Sequence, residues 1–102
     1  VAERQKVLNL VNAIASGPMT TDSLMARFGA GNRTVKRWIS EARQLGARLR
    51  ARRIETNEEG RLTGPYYWEV ENLEEIQPRL QHWVSLETTA SLIDNAKENR
   101  HD

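Results

Sequence analysis

Apolar residues recur at three- and four-residue intervals in the first half of the chain, then alternate, then return to helical spacing. In "AERQKVLNLVNAIASGP", Val7, Leu10, Val11 and Ile14 share one helical face. Gly17 and Pro18 stop that helix, because Gly accepts a left-handed cap and Pro cannot continue the ladder. In "TTDSLMARFGAG", Leu24, Met25 and Phe28 form the apolar stripe of a helix of about two turns. Thr20 is its expected cap, with Thr21 the lesser alternative, and Gly29 and Gly31 break it. A third helix is predicted from about Asn32 to Leu45, with Gly46 just past its end.

Beyond Gly46 the period drops to two. "RLRARRIE" and "PYYWEVE" read as two strands joined by the turn-rich "TNEEGRLTG", a β-hairpin with a long tip. Tyr66, Trp68 and Val70 are expected on its core face. "NLEEIQPRLQHWVSLE" is helical again. Asn72 and Glu75 have capping-box spacing, and Pro78 predicts a short turn over residues 73–77 followed by a helix starting near Pro78. Leu80, Trp83 and Val84 form the stripe of that helix, and Leu92 and Ile93 that of a last, fraying stretch.

The third helix separates its residues by chemistry. At 100° per residue, Val35, Trp38, Ile39, Ala42 and Leu45 fall on one side, and Arg33, Lys36, Arg37, Ser40 and Gln44 on the other. This matters because the net charge of +1 over 102 residues hides a polarity. Residues 27–53 carry nine basic side chains against Glu41, a net +8, whereas residues 54–102 carry four against eleven acids, a net −7. A local excess of one sign attracts a polyanion whatever the overall balance.

The remaining composition narrows the chemistry. There is no cysteine, hence no disulfide scaffold and no thiolate metal site. His82 and His101 are the two histidines, and no metal-spaced cluster or phosphate-cradling glycine loop accompanies them. The adjacent pairs Glu58-Glu59 and Glu74-Glu75 do not face one another on a helix, so neither catalysis nor a cofactor is expected. No apolar run approaches a membrane span and no signal-peptide pattern is visible, so a cytoplasmic protein without membrane contact is expected. The start at Val1 rather than Met fits either a fragment of a longer protein or a processed chain.

Helix, two helices joined by a short glycine turn, then hairpin is the helix-turn-helix arrangement with a wing. "MTTDSLMARFGAGNRTVKRWISEARQLGARLRARR" followed by "GPYYWEV" resembles the winged domains at the front of DeoR-type bacterial regulators, over roughly residues 5–71. Leu24, Phe28, Gly29, Thr34, Val35, Arg37, Ile39 and Gly46 carry the likeness. Ala30-Gly31, Trp38 and Ala42 depart from it, and no sugar-phosphate sensor domain follows.

The resemblance implies an α+β fold, a three-helix core with a two-stranded wing, to which the helical spacing after Asn72 adds a C-terminal helix. The domain would cover residues 1–71, and residues 72–102 would form a helical extension. It further implies that the third helix enters a DNA major groove, where Arg and Lys can read guanine edges. Arg33, Lys36, Arg37, Ser40 and Gln44 are then the candidate base readers, with Thr34 and Arg43 as phosphate contacts. Arg52, Arg53 and Arg61 are weaker wing contacts, in part through ion pairs with the wing acids. Leu80, Trp83, Val84, Leu92 and Ile93 are expected to form a homodimer seam, on the argument that the small domain leaves a following helix little core to cover. The expected function is sequence-specific duplex-DNA binding by a small dimeric repressor or autoregulator from a bacterium, phage or mobile element. A plasmid partition or replication adaptor is one alternative. A protein-interaction module without DNA binding, serving an unidentified partner, is another.

Overall fold

The computed structural model describes residues 3–98, with side chains described for residues 3–87. The fold is α+β. Three helices, α1 (Glu3–Ser16), α2 (Thr21–Phe28) and α3 (Asn32–Gln44), precede a β-hairpin, and α4 (Leu73–Glu98) follows it. The base of the hairpin pairs β1 (Leu49–Arg52) antiparallel to β4 (Tyr67–Val70), with Leu49 opposite Val70 and Ala51 opposite Trp68. Its outer part is a second short ribbon of β2 (Glu55–Thr56) and β3 (Leu62–Thr63), so the tip is more regular than a loop. The segment before α2 joins the sheet as well, since the Trp68 amide donates to the Met19 carbonyl at 2.7 Å.

Local chemistry explains the first three helices. α1 buries Val7, Leu8, Leu10, Val11 and Ile14 and ends where the Gly17 amide donates to Ile14. Thr20 caps α2, its hydroxyl accepting from the Ser23 amide at 3.0 Å. Gly29 closes α2 at φ +59°, where a side chain would be strained, and Ala30 donates back to Met25. α3 starts from Gly31 without a side-chain cap and buries Val35, Trp38, Ile39 and Ala42. Phe28 of α2 meets Trp38 of α3 edge-on with ring centroids 6.1 Å apart.

α4 corrects the expectation drawn from Pro78, for it runs unbroken through that residue. The proline deprives the Glu74 carbonyl of its helical donor, in a region where Glu74 and Pro78 face solvent. Ile76 and Leu80 flank Pro78 on the opposite face, and both are fully buried in the core. Burying two such side chains stabilises by about 1.5–3 kcal/mol each, against about 3 kcal/mol for an interior proline. The core therefore carries the helix through. Asn72 also differs from a simple cap. Its Nδ2 donates to the Gly46 carbonyl at 2.8 Å and its Oδ1 accepts from the Arg48 amide at 2.8 Å. It clamps the α3–β1 turn to the start of α4, while its own carbonyl accepts from Glu75 and Ile76.

Leu80 lies in the same core cluster as Val7, Leu10, Leu24 and Val35, with 0% of its surface exposed. It has nothing left to offer a second chain, which corrects its place in a dimer seam. The first turns of α4 cover α1, and Leu73, Ile76, Leu80, Trp83 and Val84 pack into or against the core.

Candidate nucleic-acid interface

α3 presents its polar side outward. Arg33, Lys36, Arg37, Ser40, Arg43 and Gln44 are exposed, whereas Thr34 and Glu41 are half-buried at the borders. The buried Val35, Trp38, Ile39 and Ala42 hold the opposite side against α1 and α2. Spacing alone produces this split, so the main group of candidate residues lies together on one helix face.

The cations on that face differ in what they are free to do. Among the described residues, Arg33 and Lys36 have neither an ion pair nor a side-chain hydrogen bond. Arg37 pairs with Glu3, across 34 positions of sequence. The same Glu3 oxygen, Oε1, accepts from the indole Nε1 of Trp38 at 3.2 Å. Arg43 does not project as a free phosphate contact: its Nε and Nη2 donate to the Leu49 carbonyl at 3.2 and 2.8 Å. Its guanidinium carbon lies 5.2 Å from the Trp68 ring centroid. That side chain ties α3 to the hairpin.

On the hairpin Arg50 and Arg52 are answered by acids in or just past the partner strand. Arg52 pairs with Glu69 at 2.8 Å, and Arg50 with Glu71 at 3.3 Å. Both pairs lie one step diagonally across the β1–β4 register, where opposite charges attract. At the tip Arg61 approaches Glu59 at 3.8 Å, as the sequence led us to expect of the tip acids. Arg53 lies 4.8 Å from the ring centroid of Tyr66. Tyr66 is 56% exposed and so is not the core residue that alternation suggested, whereas Trp68 and Val70 pack against the core. The hydroxyl of Tyr67 donates to Glu55 Oε1 at 2.6 Å. That hydrogen bond, with desolvation and the Glu55 charge behind it, raises the Tyr67 pKa above the ordinary tyrosine value.

The apparent +8 of residues 27–53 thus divides. Arg50 and Arg52 are compensated by acids from the −7 portion and Arg37 by Glu3, whereas Arg27, Arg33, Lys36, Arg48 and Arg53 have no ion pair among the described residues. These surface pairs contribute only about 0–1 kcal/mol each, so they lower the local potential more than they stabilise the fold.

On α4, Trp83 and Val84 are half-buried against the core and Leu86 is 49% exposed. Arg4 holds Trp83 from α1, donating to its carbonyl at 2.9 Å with its guanidinium carbon 4.9 Å from the ring centroid. The side chains of Leu92 and Ile93 lie outside the described residues. Two residues of consequence, Glu3 and Asn72, were absent from the sequence-derived site, because their partners lie 34 and 26 positions away and no local spacing points to them. No group of His, Cys, Asp or Glu among the described residues could hold a metal, and no described helix is long and apolar enough to cross a membrane. The chain matches no protein-family model and no curated protein.

Proposed function

We propose that the chain is a winged helix-turn-helix protein that binds duplex DNA sequence-specifically through the outer face of α3. The observation that carries this reading is the division of α3. One face is anchored in the core, and the other bears Arg33 and Lys36, which have no internal partner among the described residues. A rigid helix that holds unpaired cations above a packed base suits insertion into a major groove. Arg33 and Arg37 would read guanine edges, Lys36 would contact the same edge or a phosphate, and Ser40 and Gln44 would add hydrogen bonds deeper in the groove. The hairpin would act as the wing, with Arg53, which has no ion pair among the described residues, as a candidate contact. The biological role in this reading is that of a small repressor or autoregulator.

The test is fluorescence anisotropy on random and selected duplexes over a range of salt. Phosphate neutralisation requires log K to fall linearly with log salt. A flat dependence would remove the DNA reading. A homodimer through α4 belongs to the same proposal, and its seam would use the exposed Leu86 and the outer edge of Trp83 in place of Leu80. Sedimentation of Leu86→Glu, monomeric where the native chain is dimeric, tests it.

A second reading has one observation in its favour. Ile54, Leu62 and Tyr66 are all exposed on the hairpin and line an open groove of about 700 Å³ with Arg50, Arg52 and Arg53. Such a surface suits a protein partner, and full retention of partner capture in a protein lacking all DNA affinity would favour it.

A further inference from the structure

Glu3 stands at the first turn of α1, 34 residues from the α3 side chain it holds. One oxygen serves two donors. Trp38 is 3% exposed, and its indole N–H donates to Glu3 Oε1 at 3.2 Å. The Arg37 guanidinium is different, because its side chain is 56% exposed and the Glu3 side chain 48%. The carboxylate is therefore fixed by a buried partner and engages an exposed one. Exposed pairs of this kind are weak and screened by salt.

We propose that Glu3 is a specificity-determining residue that withholds Arg37 from phosphates and releases it only to a better acceptor. The inference rests on the DNA-binding reading of the α3 face. While the pair holds, Arg37 contributes no net charge there, and the free cations of the face are Arg33 and Lys36. A single phosphate contact by Arg37 would leave the Glu3 carboxylate, still held by Trp38, beside a polyanion. A guanine edge offers two parallel acceptors to the planar guanidinium and compensates for the broken pair. Glu3 thus weakens non-specific binding more than specific binding.

The experiment compares native protein, Glu3→Gln, Arg37→Ala and the double variant on a random-sequence duplex and on a duplex obtained by site selection, across a salt series. Gln keeps a carbonyl oxygen for the Trp38 indole, and an unchanged thermal midpoint verifies that the fold is intact. Glu3→Gln is expected to tighten random-duplex binding about three- to tenfold and to steepen the log K against log salt slope by about 0.9, the signature of one more neutralised phosphate. The selected duplex should gain less, so the specificity ratio falls. In the Arg37→Ala background the same change should have little effect, because the released group is gone. An unchanged slope and random-duplex affinity in Glu3→Gln would overturn the inference. So would an effect of equal size in the Arg37→Ala background, which would make Glu3 a general repulsive charge. If the native protein binds no duplex, the DNA reading falls and this inference with it. If it binds and Glu3→Gln behaves as native, the DNA reading stands and Glu3 alone is excluded.

Discussion

Arg43 donates two hydrogen bonds to the main-chain carbonyl of Leu49, at 3.2 and 2.8 Å, while its guanidinium lies beside the Trp68 ring. The last turn of α3 is thereby bonded to the first residue of β1 and packed against β4. A residue whose type and position suggest a phosphate contact instead sets the position of the hairpin relative to the helix.

Arg43→Ala should therefore destabilise the protein by about 1–2 kcal/mol, because the charge-assisted bonds and the ring interaction disappear. Arg43→Lys should recover little, because a lysine ammonium has no planar fork. Urea denaturation measures both. Under the proposed DNA-binding reading the salt slope should stay as in the native protein, because the Arg43 guanidinium is engaged by the Leu49 carbonyl. A slope lower by about 0.9 would return it to the phosphate contacts.

Pro78 predicts a gain. It is exposed, and its ring leaves the Glu74 carbonyl without a helical donor. Pro78→Ala should raise stability by about 1–3 kcal/mol by restoring that donor and removing the steric cost. The urea midpoint should rise with an unchanged m value, because Ile76 and Leu80 remain buried on the far side.

Arg33 and Lys36 test the proposed reading face without touching the core. Replacing each with Ala should cost about 1–3 kcal/mol of specific affinity for every base-edge interaction removed. The thermal midpoint should not move, as neither side chain has a partner among the described residues. Calorimetry and anisotropy on the same samples separate the two effects. Unchanged binding in the double variant would exclude this face.

Tyr67 gives a pH signature. Its hydroxyl donates to Glu55, and that bond favours the protonated phenol, so the pKa is raised. A raised pKa means that the contribution is fully present below the ordinary tyrosine range and is lost as pH rises through the folded value. Absorbance of tyrosinate against pH should show one component above the ordinary range. Tyr67→Phe should delete that component, and Glu55→Gln should move it down.

Local spacing by itself determined a good part of this protein. Three- and four-residue recurrence placed Val7, Val11, Val35, Trp38 and Ile39 in the core. Thr20 marked the start of α2 and the glycines at 29 and 31 the α2–α3 turn, because capping and left-handed backbone are properties of one or two residues. The outward set on α3 followed from the same geometry. Tertiary packing decided the rest. Whether Pro78 broke a helix depended on a core waiting for Ile76 and Leu80. Whether Leu80 faced a partner or its own chain depended on where α1 lay. Which of the arginines remained free depended on Glu3, Glu69 and Glu71, each brought close by pairing over long stretches of chain. A helix face is set by rotation per residue, which the sequence contains. The partner of an exposed charge is set by which elements pack together, and that exists only once the chain has folded.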